Sequence, residues 1–241
     1  MRRSTFAVQV GMLARRSVVR TLRQPAMVVP SLVFPLMLLS INSSGLESAA
    51  DLPGFPAEHY FQFALAIPFV QGALFSANSA GTNVATDIET GFMNRLSLTP
   101  LRRVALMLGQ LAGILALGLI QAVTFLLVGV IFGAGIAAGV AGAIVIVALS
   151  LLISLAFGTI GAFVALRSGS SEAVQGVFPL LFAALFLSSM ALPRDLIETD
   201  WFRTVADYNP VSYMLEAIRS LVIVGWDGEA LALGFACAGG V

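Results

Sequence analysis

Lysine is absent from all 241 residues, and the sequence holds one cysteine and one histidine. Without lysine there is no Gly-Lys-Ser/Thr phosphate loop, so ATP, if used, must be bound by a partner. Cys237 has no second cysteine for an intrachain disulfide and reads as helix filler in an apolar stretch. His59, with Glu58 as its nearest acid, reads as a solvated loop residue, and no metal site is expected. Charge is scarce too: 11% of residues are charged and 58% hydrophobic, against about 25% charged in an ordinary soluble domain. The net charge of zero offers no basic excess for nucleic acid.

What is present is a series of uncharged runs at 24–45, 60–86, 104–132, 140–166 and 173–192. Each reaches the ~20 residues that cross a hydrocarbon core about 30 Å thick. The sequence therefore predicts an all-α membrane protein, a single transmembrane domain over 1–241 with five spans and the start of a sixth at 230–241. Those last twelve uncharged residues are shorter than a span, and the chain is expected to stop inside that helix. The third and fourth spans are separated by GAGIAAGVAG, Gly133 to Gly142, whose glycines predict a hairpin with almost no external loop.

Arginine distribution sets the orientation. Ten arginines lie in the N-terminal segment, in 87–103 and at Arg167; only Arg194, Arg203 and Arg219 lie on the other side. The N-terminus and 87–103 are thus expected in the cytoplasm, facing acidic external segments that carry Glu47, Asp51 and Glu58, then Asp195 to Glu229. Residues 4–23 are expected to form an interfacial elbow helix. Gln9, Arg16, Arg20 and Arg23 share one face, Ala7, Val8, Met12, Val18, Val19 and Leu22 the other, and Arg15 is an exception; the arginines would sit at headgroup level. Pro25 turns the chain into a first span that Pro30 and Pro35 are expected to kink.

DIETGFMNRLSLTPLRR, Asp87 to Arg103, interrupts two apolar runs with five charges, a glycine and a proline. Ile88, Phe92 and Leu96 recur at helical spacing, with Glu89 and Arg95 beside them, until Thr99-Pro100 ends the helix. An apolar ridge flanked by charge suits docking into a partner's groove. On the residues alone, a docking element and a solvated turn that enforces topology are equally supported.

Three stretches together resemble type-2 ABC exporter permeases, closest to the branch of daunorubicin and doxorubicin resistance permeases. TFAVQVGMLARRSVVRTLRQPAMVVPSLVFPLM resembles the elbow and proline-bearing first span, DIETGFMNRLSLTPLRRVALMLGQ the cytoplasmic segment, and DYNPVSYMLEAIRSL the Asn-Pro motif before the final span. The resemblance implies that 87–103 is the coupling helix seated in a cleft of the ATP-binding subunit. Asp87, Glu89, Gly91, Phe92, Arg95, Leu96, Thr99, Pro100 and Arg102 carry that expectation, while Asn94 stands where an acid often precedes the arginine-leucine pair. It also implies that 193–229, with Asn209, Pro210, Tyr213 and Arg219, forms short re-entrant helices capping the outer end of the path. From the residues themselves, Leu215, Ile218, Leu221 and Val222 predict a helix from Asn209-Pro210, and Trp201, Phe202, Tyr208, Tyr213 and Trp226 fit an interfacial anchor.

Within the spans, polar residues are few, among them Gln71, Ser76, Asn78, Ser79 and Asn83 in the second and Gln121 and Thr124 in the third, and they suit interhelical bonding as well as a path. The resemblance implies that the second and fifth spans line a path between two protomers, so Phe69, Gln71, Phe75, Asn78, Phe178, Phe182 and Phe186 are candidate path residues. The resulting expectation is a non-enzymatic permease subunit that moves an amphipathic or hydrophobic drug, antibiotic or lipid outward. It would carry no cofactor of its own, with ATP and Mg on an ABC ATP-binding subunit and a second permease chain completing the path in the lipid bilayer. Arginine without lysine, beside abundant alanine and glycine, is the composition of a G+C-rich genome, and a bacterial cytoplasmic membrane is the expected location. An ATP-independent secondary transporter or channel is the alternative, disfavoured because no span has a central ionisable group; Glu172 lies at a span's end. An intramembrane enzyme lacks a usable histidine, a lysine or a pair of mid-span acids.

Overall fold

A computed structural model describes residues 6–98 and 103–241. The described residues contain no strand. Among the described residues eleven α-helices run in the order α1 (Phe6–Leu22), α2 (Pro25–Gly45), α3 (Tyr60–Ala64), α4 (Ala66–Glu89), α5 (Phe92–Ser97), α6 (Arg103–Ile131), α7 (Gly139–Ser168), α8 (Ser171–Phe186), α9 (Asp200–Tyr208), α10 (Pro210–Arg219) and α11 (Gly228–Gly240). Among the described residues, four stretches are long and apolar enough to cross a membrane: Pro25–Gly45, Tyr60–Glu89, Val104–Ile131 and Gly139–Ser168. α2 runs unbroken through Pro30 and Pro35. The second stretch is divided at Leu65 into α3 and α4, because Pro68 has no N–H to offer the Ala64 carbonyl.

α4 is the axis of the bundle, packed against α2, α6, α7 and α8. Its composition explains this position. Gly72, Ala73, Ser76, Ala77, Ser79, Ala80 and Gly81 are all buried, and small residues let helix backbones approach where lipid offers no hydrophobic driving force. The closest approach is to α7. A Cβ on Gly161 would run into the Ala77 backbone, and one on Gly81 would meet the Gly161 carbonyl. α1 lies just as tightly on α6, with Leu13 over Gly109 and Ser17 over Gly113.

The expected hairpin is present between Ile131 and Gly139, with Gly133 and Gly139 at φ +87° and +66°. Its turn docks on the far side of the bundle. Ala137 and Ala138 donate their N–H groups to the carbonyls of Val222 and Leu221, both at 3.1 Å. Those carbonyls are available because α10 passes at Ser220–Val224 into one π turn that ends at Gly225, φ +111°.

Two expectations need correction. The fifth apolar run does not stay helical to Leu192: α8 stops at Phe186, 16 residues long. The carbonyls beyond it are taken by side chains instead, Ser189 and Met190 by Arg219 and Ala191 by the Tyr60 hydroxyl. The second concerns α1. Its apolar residues Val8, Met12 and Leu22 face outward as expected, but Arg16 and Arg20 do not share a free polar face: they turn toward a carboxylate on α4.

Candidate functional site

The last turns of α4 carry Asp87 into the angle between α1 and α6, where it is 2% exposed. Arg16 closes a two-pronged pair on it, Nη1 to Oδ2 at 3.1 Å and Nη2 to Oδ1 at 2.9 Å. Arg20 adds Nη1 to Oδ1 at 2.7 Å and reaches the Asn83 carbonyl at 3.3 Å, and Gln110 of α6 donates to Oδ2 at 3.4 Å. A carboxylate leaving water at this depth needs such charge-assisted donors, and the forked guanidinium supplies two at once. The Arg16 guanidinium also lies 3.9 Å from the ring centre of Phe92, the first residue of α5.

Between Asp87 and α5 the chain turns. The Thr90 hydroxyl donates back to the Thr86 carbonyl at 2.7 Å, and Gly91 takes φ +69°, a value that suits glycine. This turn breaks the expected ridge of Ile88, Phe92 and Leu96 into two helices. Ile88 packs against Val84, Ala85, Ala165 and Val174, and Phe92 is half-buried beneath Arg16. Glu89 is likewise engaged within the chain: its Oε1 accepts the Ser171 N–H at 2.8 Å, while Ser170 caps the same helix through Glu172 and Ala173. What faces outward is Arg95, which also donates to the Thr90 carbonyl at 3.3 Å, and Leu98, 86% exposed. Asp87, expected on the partner-facing side, points into the bundle. Thr99, Pro100 and Arg102, and the Leu96 side chain, lie outside the described residues.

A second feature is aromatic. Phe75 of α4 meets Phe178 and Phe182 of α8 at 5.4 and 6.0 Å between ring centres, and Phe182 extends the series to Phe186 at 6.5 Å. Phe34 of α2 joins it, 5.9 Å from Phe75 and 6.1 Å from Phe182. Four of the predicted path residues thus come together, with Phe34 as an addition that the sequence did not single out. Phe69 does not belong: it is buried elsewhere, edge-on to Phe125 at 5.8 Å. Asn78 lines a small pocket with Phe178 and Leu181, and its Oδ1 has no hydrogen-bond partner among the described residues. Both amide atoms of Gln71 are buried and unpaired in the same sense.

At the far end of the bundle, Asn209 caps α10 through Oδ1 to the Val211 N–H at 3.0 Å and ties it to α8 through Nδ2 to the Ala184 carbonyl at 2.6 Å. Pro210 follows as the first helical residue, as cap chemistry predicts. The Tyr213 hydroxyl donates to the Asp207 carbonyl at 2.8 Å, and Arg194 lies 4.5 Å over its ring while pairing with Glu216. Burial disfavours the Arg194 charge, but the Glu216 hydrogen bond and charge outweigh it and raise its pKa. Arg219 is buried, donating to the carbonyls of Phe63, Ser189 and Met190 at 3.1, 2.6 and 2.7 Å, with its guanidinium 3.6 Å over the Phe63 ring. It forms the floor of an open cleft of about 650 Å³ rimmed by Arg194, Arg203, Asp207 and Glu216.

The sequence pattern of the ABC-2 type transporter family matches residues 8–223, which take in every helix described above except the start of α1 and all of α11. The chain belongs to this family. Over 207 residues it is 28% identical to the daunorubicin resistance ABC transporter permease protein DrrB1 of Streptomyces coeruleorubidus, covering 82% of this chain and 69% of that relative. It is 25% identical to the putative transport permease ycf38 of Cyanophora paradoxa, over 90% of this chain and 74% of the relative. Identity to the probable doxorubicin resistance ABC transporter permease protein DrrC of Mycobacterium tuberculosis is 22%, over 91% and 79%. The chain is therefore a membrane permease subunit of an ABC exporter. In this permease the polar corner at Asp87, the aromatic face on α2, α4 and α8, and the Arg219 cleft lie on three different parts of one helical bundle. The inward pairing of Arg16 and Arg20 has no local sequence signal, since Asp87 lies 71 and 67 residues away.

Proposed function

We propose that this permease is driven by a separate ABC ATP-binding subunit that docks at α5, holds ATP and Mg, and pushes the bundle from inward-facing to outward-facing. The observation that carries the reading is α5 itself. It is a short helix hung on the Gly91 turn, held on its inner side by Phe92 under Arg16, with Arg95 and Leu98 turned outward. A cation beside an exposed leucine suits a groove with an acidic rim. On this reading, replacing Arg95 with glutamate and Leu98 with aspartate abolishes co-purification of the ATP-binding subunit while leaving the yield of folded permease unchanged. An intact complex with undiminished transport would sink the docking assignment.

The aromatic face supports an amphipathic or largely apolar cargo, a drug, antibiotic or lipid, moved outward between this chain and a second permease chain. Phe182 touches Phe34, Phe75, Phe178 and Phe186, so it is the member whose loss disrupts most of the face. Phe182→Ala is expected to lower transport of planar amphipathic compounds such as daunorubicin about tenfold in inside-out vesicles, the loss of one aromatic contact of about 1.4 kcal/mol. Unchanged transport of every aromatic compound that the wild type moves would remove the face from the path. The arginine count supports the α1 end inside, and arginine without lysine beside abundant alanine and glycine supports a bacterial cytoplasmic membrane.

A further inference from the structure

Resting on the reading of α5 as the docking element, we propose that Asp87 is its positioning residue. Together with Arg16 and Arg20 it locks α1, the end of α4 and α5 into one corner, so that a push on α5 reaches α6 through α1 as well as along α4.

The geometry carries this in three steps. Arg16 serves two partners at once, its nitrogens on the Asp87 carboxylate and its face against the Phe92 ring. The position of α5 is therefore tied through Arg16 to the charge on Asp87. Next, the same arginine belongs to a helix whose Leu13 and Ser17 rest on Gly109 and Gly113, so the corner is continuous with the α6 backbone. Finally, Gln110, one residue after Gly109, donates to the same carboxylate and closes the loop of contacts.

Two cations share one anion here. Neutralising Asp87 leaves two partly exposed guanidinium groups without the anion that holds both, so Arg16 loses the orientation that holds Phe92. A mere packing role for Asp87 would lower the yield of folded protein without changing how folded molecules respond to nucleotide.

The test uses spin-label distances, in a Cys237→Ala background that leaves no native cysteine. One pair, Met12→Cys on the exposed face of α1 and Ser97→Cys at the end of α5, reads the corner. A second, Met37→Cys on α2 and Leu180→Cys on α8, reads whether nucleotide state reaches the outer helices. In the chain with native Asp87, the first distance is expected to stay narrow and unmoved when the complex is trapped with ATP and vanadate, while the second shifts. Asp87→Asn is expected to widen the first distribution about twofold and to abolish the shift of the second, with ATP hydrolysis continuing. Asp87→Glu keeps both responses. Phe92→Leu, which leaves every ion pair in place, loosens the first pair and serves if Asp87→Asn does not fold. A first distance that moves on trapping with Asp87 native, or a second that still responds in Asp87→Asn, overturns the proposal. Failure of any ATP-binding subunit to co-purify would instead overturn the docking reading, and the first label pair in the permease alone would still decide whether Asp87 holds α5.

Discussion

Replacing Arg219 with alanine is expected to destabilise the permease by about 4 kcal/mol, one of the two largest single-residue effects expected in the molecule. The side chain is buried, and it supplies the hydrogen bonds of three backbone carbonyls at once, from Phe63, Ser189 and Met190. Alanine would strip all three and uncover the Phe63 ring. Because Ser189 and Met190 lie where α8 has ceased to be helical, no helical N–H is there to replace the guanidinium. Lysine would retain the charge but not the planar fork, so Arg219→Lys is expected to recover less than half of the loss. Unfolding of purified protein in mixed detergent, followed by circular dichroism, measures both. Equal stability of wild type and Arg219→Ala would mean that the carbonyls find other donors and that the stretch after α8 is not held from α10.

A comparable loss is expected from a single methyl group at Gly161. The added carbon would meet the carbonyl oxygen of Ala77, part of a backbone that cannot rotate away as a side chain can. Relief requires α4 and α7 to separate along their closest contact, at a cost of roughly 3 kcal/mol or more. Gly176→Ala is the matched comparison. It lies within α8, and a methyl group there has open space on every side. Ordinary helix propensity then predicts a gain of about 0.5 to 1 kcal/mol in the single chain. Thermal denaturation of the two variants beside wild type should therefore shift in opposite directions. If both shift alike, close backbone approach is not what fixes α4 against α7.

How far each feature could be read beforehand depended on how local its chemistry is. The apolar runs located α2, α4, α6 and α7, because a bilayer imposes length and hydropathy on contiguous residues. Asn209-Pro210 announced α10, since cap and first helical residue are neighbours in the chain. The end of α8 was hidden: Leu187 to Leu192 looks apolar enough to continue, and the residues that capture its carbonyls, Tyr60 and Arg219, come from distant segments. The ridge of Ile88, Phe92 and Leu96 is continuous in spacing alone: Gly91, at φ +69°, starts a new helix and gives Ile88 and Phe92 internal contacts. Phe34 has no local signal in a proline-bearing apolar run, and only the folded arrangement sets it beside Phe75 and Phe182.

The glycine contacts divide the bundle into stiff and compliant members. α4 and α7 meet backbone to backbone at Gly81 and Gly161, α1 rides on the α6 glycines, and Gly158 seats Ile114 of α6 on α7. α4 and α7 cannot slide without lifting one main chain off the other, and the other contacts seat side chains directly on a glycine backbone. Contact between α2 and the far half of α8 is different in kind: Phe34 and Phe182 touch through rings on long levers, which can exchange neighbours at small cost. α8 also contains Pro179, whose missing N–H leaves the Gln175 carbonyl without its helical donor, while Val174 is wedged against Gly81 below it. α2 and α8 therefore meet the bundle through rings that can exchange neighbours, whereas α4 and α7 are held main chain to main chain and the outer end of α8 is tied down by Asn209.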